Sequence, residues 1–248
     1  MRKAVFGGYL CLAFLSNSCT QQKAGFKTPE DAVHYLVQNV KSGNFENVLK
    51  TSSYYYDDII DKLNAKEYAK RMNLITIPTP LNLPNEYHSL IKARFLGQHA
   101  LNIQMFVSRL LLPEECGDFL DYKSLDLNTN EQLLDTYFSS LSNLKLLNSL
   151  ELVRMDVSNP DVQYGERHQK NTEQNKRIYG FDERIEYTAL FKNNNGYYIG
   201  GYTFGRYGSG WYILDYYSPL ANQSTGFVPP ISSIEDYLDE YNIESTSP

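Results

Sequence analysis

The sequence predicts an α+β fold: N-terminal helices packed on an antiparallel β-meander. Three observations carry that expectation. Apolar residues recur at helical spacing in the first half, as in Val33, Leu36, Val37 and Val40. Past residue 149 the period becomes two, as in Ile185, Tyr187, Ala189 and Phe191. Turn chemistry then separates successive runs at 193–196 and 207–210. Helices first and a meander afterwards place the helices on one face of one sheet.

The chain opens with a positive start, Arg2 and Lys3, followed by an apolar run over residues 4–15. That run is shorter than the roughly 20 residues a membrane-spanning helix needs, and fits a secretory signal. In "LAFLSNSCTQQ", residues 12–22, the apolar run stops at Cys19 and a polar stretch follows. This resembles the signal of bacterial lipoproteins, which implies that Cys19 is lipidated and becomes the new N-terminus. Plain secretion and an uncleaved anchor are the alternatives. The implied organisation is a signal peptide at 1–18, a tether at 19–27, one α+β domain at 28–220, and an acidic tail with a short helix at 221–248. The implied location is a bacterial envelope membrane, the outer one favoured, held through the N-terminal lipid. Loss of Cys11 and blocking of Cys19 would leave Cys116 as the one free thiol, so stability must come from the core.

Thr28-Pro29-Glu30-Asp31 starts the first helix, with Thr28 as cap and Pro29 at the first helical position. Gly43 ends it and Asn44 opens a second, carrying Phe45, Val48 and Leu49 and later Ile59 and Ile60. Three prolines make 72–84 a loop. A long helical pattern covers about 85–112 with Gly97 inside it, and Pro113 closes it. Thr129-Asn130-Glu131-Gln132 opens another helix. Residues 149–157 read as a strand whose alternation slips at Leu152-Val153, the mark of a bulge. Residues 158–181 are mostly polar and read as a loop or lid. The strands of the meander follow, and Ser232-Ser233-Ile234-Glu235 caps a last short helix.

The opening "TPEDAVHYLVQNVKSGNFENVLK" resembles the first two helices of NTF2-like domains, and "GWYILDYY" suits the last hairpin of that family. The resemblance implies a curved sheet wrapped around helices into a cone with a pocket.

Formal net charge is −6, and −8 once Arg2 and Lys3 are removed with the signal. An acidic chain repels polyanions, so nucleic acid is excluded as a partner. Twenty-one tyrosines against one tryptophan suit wet grooves or strand surfaces. "YYYDDIID", residues 54–61, interleaves aromatics with acids, which makes Tyr54, Tyr55, Asp57 and Asp58 a candidate sugar-stacking or cation-binding edge. Its plain alternative is part of an amphipathic helix. "LPEECGDFLD", residues 112–121, lacks the oxygen spacing of a calcium loop, and Cys116 has no histidine near it in sequence. His34 reads as packed or at a boundary, and His88, His99 and His168 form no zinc pattern. Trp211 and Ile213 are expected to face the N-terminal helices, with Tyr212 on the cheaper, opposite side. No catalytic residue, metal or cofactor is therefore expected. The expected function is a lipid-anchored, non-catalytic binding or scaffold domain for an envelope protein or a small apolar or sugar ligand. An isomerase or hydrolase using an NTF2-like pocket is the alternative.

Overall fold

The computed structural model describes residues 25–64, 67, 70, 85–111, 131–222, 228–241 and 243. Cys19, Cys116, the 72–84 stretch and all of "LPEECGDFLD" lie outside the described residues.

Helix α1 (Pro29–Lys41) begins as the sequence requires. Thr28 Oγ1 accepts from the Asp31 N–H, and the Asp31 carboxylate accepts from the Thr28 N–H, a reciprocal cap. Short α2 (Phe45–Leu49) and α3 (Asp57–Ile60) follow, with a 3-10 turn Ser53–Tyr55 between them. The long helix α4 (Asn85–Leu111) runs unbroken through Gly97, where a Cβ would meet nothing within 4 Å. Helix α5 (Glu131–Ser142) and a 3-10 segment, Leu144–Ser149, lead into the sheet.

The strands are β1 (Glu151–Val157), β2 (Glu183–Asn193), β3 (Gly196–Tyr207), β4 (Gly210–Asp215) and β5 (Pro230–Ile231). They pair antiparallel in the order β1-β2-β3-β4, and β5 joins the other end of β3 at Tyr197 and Tyr198. The α+β expectation of helices followed by a meander is what the chain forms. The expected bulge is present, because pairing shifts by one residue between Leu152 and Arg154.

The inner face of the sheet receives Tyr187, Ala189 and Phe191 from β2, Tyr198, Tyr202 and Phe204 from β3, and Ile213 from β4. They pack on Leu36, Val37 and Val40 of α1 and on Ile103, Phe106 and Leu110 of α4. Phe106 meets Phe191 edge-on at 5.3 Å between ring centroids. Gly200 makes room for this layer: a Cβ there would lie 2.9 Å from the Phe191 ring.

Two sequence expectations fail here. Residues 158–181 are not a loop. They form α6 (Pro160–Gln163) and α7 (Glu166–Tyr179), which cross the outer face of the sheet. Only Thr172 and Ile178 of α7 are buried, so no apolar stripe announced the helix. Its residues are instead strong helix formers such as Glu, Arg, Gln and Lys. The helix stops at Gly180, whose φ of 69° is left-handed and whose missing Cβ would lie 2.6 Å from Lys62 Cβ.

The second failure is Tyr212. It is 5% exposed, deeper than its neighbour Trp211, and packs with Ile59, Tyr207 and Phe181. The sheet's second side is covered as well, so this position is not the cheaper one. Trp211 and Ile213 do join the inner cluster, as expected.

At the far end of the outer face, helix α8 (Ile234–Glu240) is capped by Ser233 and buries Tyr237 against Leu190 and Ile199.

Candidate functional site

The alternation that sends Tyr187 and Ala189 inward sends Arg184, Glu186 and Thr188 outward, beneath α6 and α7. Glu186 is fully buried. Its Oε2 accepts from Ser218 Oγ at 2.9 Å and from the Leu220 N–H at 3.2 Å. Its Oε1 is ion-paired to Arg184 Nη2 at 2.7 Å, an approach without an aligned hydrogen bond. A buried carboxylate is tolerable only with such compensation. The Glu186 backbone is held too. Its N–H donates to Gln163 Oε1 at 2.9 Å, and its carbonyl accepts from the Ser158 N–H. Ser158 Oγ and Thr188 Oγ1 share a hydrogen at 2.8 Å.

Above this floor lies a hollow of about 630 Å³ at the head of α7. Val162, Gly165, Glu166, Arg167, His168 and Asn171 line it. His168 links hollow and floor. Its Nε2 sits 3.4 Å from Arg184 Nη1 and 3.8 Å from Glu186 Oε1. Burial pushes the His168 imidazole below its ordinary pKa; Glu186 opposes that shift and Arg184 reinforces it. Gln163 Nε2 and Thr172 Oγ1 are buried in this layer without a hydrogen-bond partner among the described residues.

A second polar group sits on the inner side. His99 of α4 is 3% exposed, and burial drives its pKa down to about 3. Its Nε2 faces Thr51 Oγ1 at 3.4 Å, and its ring meets Tyr216 edge-on. Nearby, Asn102 Nδ2 donates to Asp215 Oδ1 at 3.4 Å. Burial raises the Asp215 carboxyl to about 6, against the pull of the Tyr216 N–H and Arg184. The Tyr202 hydroxyl is buried with no hydrogen-bond partner among the described residues.

The residues singled out from sequence lie elsewhere. Tyr54 is buried and stacks on Phe95 with centroids 4.2 Å apart. Tyr55 is half-buried under Lys92, whose ammonium lies 5.6 Å from the ring and pairs with Asp57 at 2.7 Å. Asp57 and Asp58 are exposed. The four therefore split into one core aromatic and a surface edge around Lys92. His34 is exposed rather than packed. A hollow of about 580 Å³ also opens between α2 and α4, lined by Phe45, Leu49, Ile103, Val107 and Leu111, with Leu144 at its rim.

Sequence reasoning missed Arg184, Glu186 and Asp215. The signal was present for the first two. Opposite charges two apart on a strand share a face, and here they interrupt a strand whose neighbours are aromatic or aliphatic.

No group of three or more His, Cys, Asp or Glu side chains that could hold a metal ion occurs among the described residues. Within the same residues, no helix is long and apolar enough to cross a membrane. No protein-family model and no curated protein matches the chain. Among solved structures, the chain is similar to the crystal structure of a cystatin-like protein from Ruminococcus gnavus ATCC 29149. The TM-score is 0.54 and the identity 17%, over 88% of this chain and 44% of that one. The chain thus spans less than half the length of that protein, and the likeness is one of fold: helices against an antiparallel sheet.

Proposed function

We propose that the protein is a lipid-anchored domain of the bacterial envelope that binds a partner rather than transforming a substrate. The observation that carries the binding reading is the filled inner face. Tyr202, Phe204, Phe191 and Phe106 occupy the space that a cone-shaped pocket would need, each under 2% exposed. Recognition then falls to the outside, to an envelope protein or a small apolar or sugar ligand. The two hollows and the Tyr55–Asp57–Asp58 edge are the surfaces that fit. The anchor reading rests on the N-terminal signal ending at Cys19. A lipid on that cysteine, with more than one acyl chain, holds a protein stably at a membrane.

The test has two arms. Cells grown with a fatty-acid analogue label the wild type and leave Cys19→Ala unlabelled; equal labelling ends the anchor reading. Capture of the tagged full chain from its native envelope returns a partner that Asp57→Lys or Leu49→Asp releases. A partner retained by both variants removes those surfaces from consideration.

A second reading has its own observation. Helix α4 carries His99, whose imidazole burial keeps neutral, and through Asn102 it reaches Asp215, whose carboxyl is held near 6; such groups suit proton transfer. An isomerase or hydrolase activity that disappears in Asp215→Asn, with the fold intact, would replace the binding reading.

A further inference from the structure

Helices α6 and α7 form a strap over the outer face of β2, and its seat is polar. One nitrogen in that seat has two neighbours that ask opposite things of it. Arg184 Nη1, at 3.4 Å, carries only donors, so His168 Nε2 must be an unprotonated acceptor to bond it. Glu186 Oε1, at 3.8 Å, is an acceptor and rewards a protonated Nε2. In the arrangement observed the shorter distance is to the arginine. The carboxylate oxygen is already ion-paired to that same arginine at 2.7 Å.

We propose that His168 is a proton-sensitive latch that seats the α6–α7 strap on the sheet when neutral and loosens it when protonated. A proton on Nε2 removes the acceptor that Arg184 uses and sets a second cation against the guanidinium. Glu186 compensates in part, but its Oε2 is committed to Ser218 and Leu220. At the head of the strap, Gln163 of α6 is buried. Of α7 only Thr172 and Ile178 are buried, and Ile178 lies at the far end, where the Asn64 N–H donates to its carbonyl. Near the head, Gln163 Oε1 accepts from the Glu186 N–H, and Gln169 Nε2 donates to the Gln163 carbonyl. The charged groups facing His168 are Arg184 and Glu186 of β2. Asp215 of β4 acts on Arg184 from beyond, and Glu166 and Arg167 share the hollow.

The direction of the imidazole's shift agrees. Its folded pKa lies below the ordinary value, chiefly through burial. A lifted strap with a solvated imidazole binds the proton more readily than the seated one. Acidification from the ordinary imidazole range downward therefore favours lifting. This inference is independent of whether the domain binds or catalyses.

Amide hydrogen exchange on the full chain, corrected for intrinsic rates, tests it at about pH 7.5 and about pH 5.5. In the wild type, the first turns of α7 should lose protection several-fold at the lower pH, while α4 and β3 stay unchanged. His168→Gln keeps an acceptor for Arg184 and gains no proton, so its α7 protection should be high and the same at both values. His168→Lys, a fixed cation, should be poorly protected at both. Nitrogen NMR should find neutral His168 as the Nδ1–H tautomer. PH dependence surviving in His168→Gln overturns the latch, as does a neutral Nε2–H tautomer or α7 protection in wild type that does not fall on acidification. His99 cannot imitate the effect: it lies in α4, and its protonation would open the core there.

Discussion

The two faces of strand β2 are buried by opposite means. Inward, Tyr187, Ala189 and Phe191 meet an aromatic and aliphatic layer in which contact area does the stabilising. Outward, Arg184, Glu186 and Thr188 meet a layer of hydroxyls, amides and one imidazole, in which specific polar partners carry the burial. Both faces exclude water around their central residues. The inner one tolerates small losses of shape at graded cost. The outer one fails abruptly when a single partner goes, because a buried charge is left behind. That contrast explains why a helix as polar as α7 can cover a sheet at all.

The largest test of the contrast lies on the inner face. Phe191→Ala removes a fully buried ring from between Phe106 and Tyr202. It should cost about 3–5 kcal/mol in urea denaturation. A loss under about 1 kcal/mol would mean that the aromatic layer is loosely packed.

Next comes the outer pair. Glu186→Gln leaves Arg184 without its counter-charge and should cost about 3 kcal/mol. The double replacement Glu186→Leu with Arg184→Met should recover most of that loss, since both charges leave together. A double variant as unstable as the single one would show that Ser218 and Leu220, not the ion pair, need the carboxylate.

A smaller effect of opposite sign is expected at Asp215. Its folded carboxyl is held near 6, above the unfolded value, so the folded state binds the extra proton. Stability from this group is fully present below about pH 4 and declines as pH rises through about 6. Asp215→Asn should therefore stabilise the protein by about 2 kcal/mol at neutral pH and flatten that part of the profile. An unchanged profile would assign it to another group.

The smallest change expected is Tyr202→Phe, which deletes a buried hydroxyl without a hydrogen-bond partner among the described residues. Stability should stay level or rise by up to about 1 kcal/mol. A clear loss would reveal a partner for that oxygen, and the inner face would be less dry than it looks.

These differences mark what sequence could and could not disclose. The Thr28 cap, the Leu152–Arg154 bulge and both hairpin turns were legible, because each is set by residues a few positions apart, whereas Gly97 left the continuity of the long helix open. Helix α7 was not, since it packs through polar atoms and shows no apolar period. Tyr212 was misjudged for a related reason. Alternation assigns a residue to a face, but what covers that face is decided by distant segments, here Ile59 and Phe181. The outer site has the same character: His168, Glu186 and Ser218 come from three parts of the chain, and only the fold brings them together.

The backbone bridge between Phe26 and the sheet has a mechanical meaning. Phe26 and Trp211 exchange two backbone hydrogen bonds, at 2.8 and 3.1 Å, and α1 begins at Pro29, three positions on. A pull on residues ahead of Phe26 therefore reaches this pair before it reaches α1. Trp211 is thereby held from two directions, by its partner on β3 and by the segment that leads into α1.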